Sequence, residues 1–185
     1  MSNAFTRTSA LADRALSGRF GADKGAPGVI LCVIHPLSIA TVIARNGKSK
    51  AVKDALATLK SVDVLWAGPD QYFVQASGKA DGALYADLKK KLNGIASVSD
   101  QSHGRVALTV SGPKARAVLA KGTPIDLYKD EFPIGKSALT QMAHVGVHLT
   151  RTGQDEFSLS VFRGFSESFW EWLTQQSAEF GYQVR

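Results

Sequence analysis

The stretch DQSHGRVALTVSGPKARAVLAKG, Asp100 to Gly122, has the pattern of a strand followed directly by a helix. Its segment GRVALTV (104–110) alternates apolar residues with polar or small ones, which is typical of a strand with one face against a core. Gly112 and Pro113 then predict a helix start, because proline at the first helical position gives up no hydrogen bond that the helix needs. Gly122 predicts the end of that helix.

The segments on either side of this stretch add strands and helices in a repeated order. In the first half we predict two strands, a helix, a hairpin, a second helix and a closing strand, over 28–34, 38–45, 49–60, 62–77, 81–94 and 95–100. Within the second of these helices, Asp81 is the predicted N-cap and Gly94 the stop. In the second half, a loop leads to strands on both sides of a turn at 151–154 and then to a long helix over 166–181.

Each half therefore has strands, a helix, a hairpin or loop, and a second helix. This order predicts an α+β fold of two pseudo-repeated lobes, each an antiparallel sheet flanked by helices. We place the lobes at residues 1–98 and 99–185. A length of 185 residues suits one compact unit with a sizeable core.

Composition excludes several classes of protein. An apolar fraction of 44% and a charged fraction of 21% are those of an ordinary folded domain. The single cysteine, Cys32, lies in an apolar run, which favours a small buried thiol and a reducing compartment. No apolar run approaches the length that crosses a bilayer, and the N-terminal segment lacks the continuous apolar core of a secretory leader. We therefore expect a cytoplasmic protein without a membrane partner.

The net charge of +6 and the pI near 9.5 raise the question of nucleic acid. The basic residues cluster only at 47–53 and 88–94, where they fit the solvated faces of amphipathic helices. We therefore expect no nucleic-acid partner. A basic subunit that docks on acidic partners fits the same charge.

Asp100, Ser102 and His103 bring the residue types of a hydrolytic triad into four consecutive positions. A triad needs the His ring between the other two side chains, whereas neighbours in an extended chain point to opposite faces. An Asp at such a position commonly binds its own backbone in a turn. We therefore predict a structural role for the cluster and no catalytic residue.

Two kinds of ligand site are disfavoured by spacing. SGPKAR (111–116) lacks the long glycine loop that wraps phosphates, although an anion at the remaining amides stays open. His144 and His148 have a ligand spacing for a helix, but in a strand they would stand roughly 13 Å apart. Since His35 adjoins a turn proline and the chain has one Cys, we predict no metal site.

Five segments agree, in order, with one known family: SAL (9–11), LWAGPDQYFV (65–74), the stretch 100–122, IDL (125–127) and FRGFSESFWEWL (162–173). Together they resemble the γ subunit family of heterotetrameric sarcosine oxidase. The Trp-x-Gly-Pro-Asp turn and the Asp-x-Ser…Ser-Gly-Pro-x-Ala-Arg block carry most of the resemblance. Thr123 departs from it, since a Cys is expected there.

The stretch 100–122 is also similar, more distantly, to the folate-binding aminomethyltransferases of the glycine cleavage system. Those enzymes carry an acidic pair in a later strand, where this chain has Val147 and His148. The resemblance therefore implies an aminomethyltransferase-like scaffold without that proton-transferring or amine-binding acid.

The family resemblance implies a non-catalytic γ subunit in a complex that oxidatively demethylates sarcosine to glycine, with hydrogen peroxide and a one-carbon unit as further products. It implies α and β subunits and a small δ subunit as partners, which would hold the FAD, FMN, NAD and tetrahydrofolate. This chain lacks the Rossmann glycine fingerprint, and we expect no cofactor of its own. The alternatives are a stand-alone folate-binding protein, an aminomethyltransferase-like enzyme with a displaced acid, and a nucleic-acid binder.

The closing helix suggests where a partner would bind. A core stripe at helical spacing is predicted for Phe165, Phe169, Trp172, Leu173 and Phe180. Trp170 lies roughly sixty degrees beyond the edge of this stripe. If it is exposed, Trp170 is the predicted partner-binding residue; the alternative is that the loop before Gly135 covers it.

Overall fold

Two β-sheets stacked face to face, each covered by helices on its outer side, form the fold in the computed structural model, which describes residues 7–22 and 25–185. The strands are β1 Gly18–Phe20, β2 Val29–Ile34, β3 Leu37–Ala44, β4 Asp63–Gly68, β5 Gln71–Ser77, β6 Ala96–Asp100, β7 Arg105–Ser111, β8 Ser137–Met142, β9 Val145–Gly153, β10 Glu156–Phe162 and β11 Tyr182–Val184. The helices are α1 Ser49–Ala57, α2 Ala83–Lys91, α3 Ala115–Ala120 and α4 Ser166–Ser177.

Within the described residues, the larger sheet has seven strands in the order β1-β11-β2-β7-β10-β9-β8, and the smaller has four in the order β4-β5-β3-β6. Neighbouring strands are antiparallel except β11 and β2, which run parallel. The predicted α+β class with antiparallel sheets is confirmed.

Three buried clusters hold the four layers together. Alternating residues of the smaller sheet, such as Val42 and Val74, pack against α1 and α2. The outer face of the larger sheet packs against α3 and α4. Between the sheets, Ile39 and Phe73 from the smaller sheet meet Ala107 from the larger one. The inner faces therefore form a third core, and any polar residue on them is held between two sheets.

The predicted lobe boundary at residues 98 and 99 is crossed by strand pairing. Strand β2 pairs with β7 and β11 in the larger sheet, while β3 and β6 belong to the smaller one. The division into 1–98 and 99–185 stays a prediction, and the two sheets are joined through the β2–β3 connection.

Three details of the helices differ from prediction. Gly82, and not Asp81, occupies the N-cap of α2, and no side chain caps that helix. Pro113 lies in a turn before α3, which begins at Ala115. The last helix ends at Ser177 and passes into a 3-10 turn, so it does not run unbroken to 181.

Cys32 lies in strand β2 and was expected to be buried, but its side chain is partly exposed.

Gly112 sits where the backbones of two neighbouring strands approach each other. Its φ is +109°, and a Cβ there would lie 2.7 Å from the carbonyl oxygen of Gly28. The amide of Lys114 donates to the same oxygen at 3.0 Å. The Ser-Gly-Pro turn thus fixes the entrance to α3 against the start of β2.

Replacing Gly112 with Ala is expected to lower the free energy of unfolding by about 2–3 kcal/mol, because a positive φ and a backbone clash act together. Chemical denaturation measures the loss. Gly135→Ala is the matched control for backbone conformation, since its φ is +89° and its Cβ would meet nothing within 4 Å. Equal losses for the two variants would show that the approach to Gly28 costs nothing.

Among the described residues, no helix is both long and apolar enough to span a bilayer.

Candidate functional site

The turn between β6 and β7 contains the Asp-Ser-His cluster. The Asp100 carboxylate accepts hydrogen bonds from the backbone amide of Ser102 at 2.9 Å and from its hydroxyl at 2.6 Å. The same hydroxyl oxygen accepts the amide of Ile39 at 3.1 Å. The prediction that Asp100 binds its own turn is confirmed, and Ser102 ties this turn to β3.

His103 is turned toward a different acid. Its Nε2 lies 2.9 Å from both carboxylate oxygens of Asp81, and the Arg7 guanidinium stands 3.9 Å from the same carboxylate. The hydrogen bond from His103, with the charges of His103 and Arg7, lowers the pKa of Asp81. Since Ser102 bonds to Asp100 while His103 bonds to Asp81, the cluster is divided between two partners and does not form a nucleophile relay.

A small cavity of about 30 Å³ lies beside this turn, and the titratable residues that line it are all Arg or His. Its lining includes Arg7, His35, His103, Arg105 and Arg163. The N-terminal segment forms one wall, because Arg7 donates to the carbonyl of Leu37 at 2.8 Å and His35 contacts the carbonyl of Arg7 at 3.0 Å.

Arg105 crosses from this cavity into the space between the sheets. Its guanidinium carbon lies 4.5 Å from the ring centre of Phe73 and 4.3 Å from that of Phe162, so an aromatic ring of each sheet contacts the cation. One nitrogen is 3.3 Å from the Ser160 hydroxyl. Burial lowers the pKa of Arg105.

His148 lies on the same inner face as Arg105. It pairs with Ser160 in the next strand, and the Ser160 hydroxyl accepts the hydrogen bond from Arg105. The side chain is 2% exposed. Its Nε2 lies 2.8 Å from the Trp66 carbonyl oxygen, and its ring centre lies 4.9 Å from that of Phe73 with the two rings nearly perpendicular. Burial is the main cause that lowers the pKa of His148, and the Arg105 charge acts in the same direction. The imidazole is therefore held neutral, with Nε2–H donating to strand β4 of the smaller sheet.

Acidification is expected to weaken the fold through His148. Because its folded pKa lies below the ordinary value of 6.5, the unfolded chain binds more protons, so stability is fully present above pH 6.5 and falls as the pH drops through the folded pKa. Denaturant titrations between pH 7.5 and 5.5 measure the slope. His148→Gln keeps a donor near Trp66 and should flatten it. The Asp81 contribution is separate, since its ordinary pKa is 3.8. A wild-type stability independent of pH over this range would contradict the prediction.

Beside Arg105 and His148, the inner face of the larger sheet opens into a groove of about 390 Å³. We call this the Arg105 groove; it is lined by Arg105, Leu139, Thr140, Gln141, Gly146, Val147, His148 and Phe162. Val147 is buried, and no acidic residue is among these lining residues. The groove thus offers a cation, a neutral imidazole and apolar walls.

Trp170 is buried, as in the predicted alternative in which another segment covers it, so the exposure on which the partner-binding prediction depended is not found. Its side chain is 5% exposed and belongs to the same cluster as Leu11 and Leu173. The N-terminal segment lies over this part of α4, where Arg14 reaches Glu167 at 3.2 Å. A partner contact through Trp170 remains a prediction, with little surface left to make it.

Phe165 was assigned to the core stripe and is instead 55% exposed. It lies in a 3-10 turn before α4, so helical spacing does not extend to it. Thr123 donates to or accepts from the Thr140 hydroxyl at 2.9 Å, which gives this departure from the family pattern a packing role.

The two histidines whose spacing was considered for a metal site, His144 and His148, lie in different kinds of structure. His144 occupies the turn between β8 and β9 with φ 66°, while His148 lies inside β9. Across residues 7–22 and 25–185, no group of three His, Cys, Asp or Glu side chains is placed to hold a metal ion.

The Arg105–His148 arrangement was missed by sequence reasoning. Arg105 alternates with apolar residues at the start of a strand, which is also the pattern of a solvent-facing cation. The sequence signal for a buried Arg105 was that its strand has apolar residues on both faces. Ala107 and Leu108 belong to opposite faces, and both are buried in the structure.

Comparison with known proteins gives consistent matches. A family model described as "Sarcosine oxidase, gamma subunit family" matches residues 33–179. The sarcosine oxidase subunit gamma of Corynebacterium sp. (strain U-96) is 32% identical over 135 residues, which is 72% of this chain and 65% of that protein. That of an Arthrobacter species is 31% identical over 136 residues, 73% of this chain and 66% of that protein. The match therefore spans slightly less than two thirds of these relatives.

Solved structures agree in fold. A chain of the heterotetrameric sarcosine oxidase from Corynebacterium sp. U-96, in complex with pyrrole 2-carboxylate, superposes with a TM-score of 0.79 at 27% identity, covering 94% of this chain and 96% of that chain. Aminomethyltransferase T of the glycine cleavage system from Bartonella henselae gives a TM-score of 0.60 at 20% identity, covering 82% and 49%. The second likeness shows a shared fold. The first, with the family match over residues 33–179, shows that the chain belongs to the sarcosine oxidase gamma subunit family.

Proposed function

We propose that this protein is the non-catalytic γ subunit of a heterotetrameric sarcosine oxidase, which demethylates sarcosine to glycine and yields hydrogen peroxide and a one-carbon unit. The observation that carries the proposal is the superposition on a chain of such an oxidase over nearly the whole of both chains. The separation of Ser102 from His103 supports a non-catalytic role, because their partners are Asp100 and Asp81.

The partners in this proposal are the α, β and δ subunits. FAD, FMN, NAD and tetrahydrofolate would be held by those partners, and the complex would work in the cytoplasm. The structure of this chain is compatible with such a division of labour, because the Arg105 groove contains no acid to move a proton to or from an amine.

Purification from the native cell tests the proposal. A tagged copy of this chain should recover larger chains with a flavin absorbance band, together with sarcosine-dependent hydrogen peroxide production. The chain expressed by itself should show no flavin band. A tagged copy that emerges without other chains, and without this activity, would overturn the proposal and favour a stand-alone folate-binding protein.

Variants of the Asp-Ser-His turn test the non-catalytic role. Ser102→Ala and His103→Ala, each in the purified complex, should change turnover by less than about tenfold, because loss of a true general acid or base costs about a hundredfold or more. Asp100→Ala should cost about 1 kcal/mol of stability through its turn hydrogen bonds. A hundredfold loss of turnover in an intact complex would make the cluster catalytic.

A further inference from the structure

The Arg105 guanidinium is a cation without a counter-charge among the described residues. No carboxylate of residues 7–22 or 25–185 comes within 4.0 Å of it. Its Nε is buried and has no hydrogen-bond partner in that part of the chain, and one other nitrogen reaches Ser160 at 3.3 Å. A partly buried guanidinium in such surroundings is costly unless an anion completes it.

The two aromatic rings leave a particular part of the cation available. Phe73 and Phe162 lie against the guanidinium at 4.5 and 4.3 Å. The planar N–H groups at its edge are the ones that bind carboxylates, often in pairs. The aromatic contacts hold the group in place, so an incoming carboxylate would meet a prepositioned donor.

The wall of the Arg105 groove is apolar and partly uncovered. Leu139 is 51% exposed and Phe162 is 48% exposed. Gly146 leaves further space, since a Cβ there would meet nothing within 4 Å. Large exposed apolar side chains around a desolvated charge are the usual composition of a protein interface, with the charge as its specific centre.

The charges around the Arg105 groove favour the binding of an acidic group. The adjoining cavity adds Arg7 and Arg163, and the whole chain carries a net charge of +6. Asp81, which contacts two of the residues that line this cavity, is already engaged by them, namely His103 and Arg7. Positive potential at a groove steers acidic partners toward it.

We propose that the Arg105 groove is a docking site for a partner subunit, which inserts an Asp or Glu side chain against Arg105 and covers Leu139 and Phe162 with apolar residues. This rests on the proposed function, because it assigns the contact to another chain of that complex. A protein chain fits better than a small free acid, since the groove is open along one side and its exposed apolar rim needs a broad surface to cover it.

The test compares the full-length chain and its variants for binding to the partner chains recovered from the native cell. Arg105→Met keeps the stem between the rings and removes the charge, so the dissociation constant should rise at least about 30-fold and depend less on salt concentration than that of wild type. Arg45→Met, at an exposed position, is the matched control and should bind like wild type. Equal binding of Arg105→Met and wild type would overturn the docking site.

A second variant covers the case in which Arg105→Met folds poorly. Leu139→Asp changes an exposed residue and places a carboxylate of this chain in the groove that Arg105 lines, so it should weaken partner binding while the melting temperature stays close to wild type. Ile134→Asp, at another exposed position, is its control. Unchanged binding by Leu139→Asp would contradict the proposal.

A free acid is tested directly on the chain without its partners. Acetate and benzoate at millimolar concentrations should leave the melting temperature unchanged. A saturable rise that disappears in Arg105→Met would replace the partner by a small carboxylate. Failure of wild type to bind any partner chain would instead defeat the proposed function, which keeps the two outcomes separate.

Discussion

Replacing Arg151 with Met is expected to lower the free energy of unfolding by about 3–5 kcal/mol, because several charge-assisted hydrogen bonds worth about 1.5–3 kcal/mol each are lost together and the buried carbonyl of Phe132 is left unpaired. The side chain is 4% exposed. Its guanidinium donates to four backbone carbonyls at 2.8–3.3 Å, those of Gly153, Lys129, Phe132 and Gln154. It therefore holds the long loop before β8 against the turn after β9.

Thermal unfolding followed by circular dichroism measures this loss, which corresponds to roughly 6–20 °C in melting temperature for a chain of this size. Arg151→Lys should recover part of it, since an ammonium keeps the charge but cannot reach all four carbonyls. Arg45→Met is the exposed control and should change stability by less than about 0.5 kcal/mol. A loss for Arg151→Met no greater than that of the control would show that the loop is held by its apolar contacts alone.

Replacing Trp170 with Ala should also cost about 3–5 kcal/mol, because a large aromatic side chain is removed from a packed core. The buried cluster around it includes Leu11 from the N-terminal segment and Phe169 from its own helix. Denaturant unfolding of the chain alone measures this effect. It is an effect on folding, and it is present before any partner is added.

Phe165→Ala provides the comparison, since that ring is exposed, lies five residues earlier in the 3-10 turn before α4, and its removal should cost less than about 1 kcal/mol. Partner affinity should be measured for both variants at a temperature where each is folded. Trp170→Ala with an unchanged melting temperature and weakened partner binding would restore the interface role suggested by helical spacing.

Local patterns were sufficient for most of the fold. The hairpin around Gly68 and the strand at 105–111 were recovered because alternation and turn residues act over a few positions. The errors arose where distant segments meet. Pro113 precedes α3 because the Gly112 turn binds Gly28, and Asp81 is drawn to His103, which lies in another turn.

The candidate site was less accessible to sequence reasoning. Alternation places Arg105 and His148 on one face of their strands, but it does not state whether water or a second sheet covers that face. The smaller sheet provides the cover through Phe73 and the Trp66 carbonyl. The burial of Trp170 was difficult to predict for a similar reason, since its cluster includes Leu11, which lies more than 150 residues earlier in the chain.

The position of β11 has a consequence for how the chain folds during synthesis. This strand lies between β1 and β2, although it is made after every other strand of the larger sheet. The smaller sheet uses residues 37–100 and can pair while translation continues. Until β11 emerges from the ribosome, β2 has an unpaired edge that can bind other extended chains. We therefore expect the nascent chain to be vulnerable to aggregation until β11 is inserted.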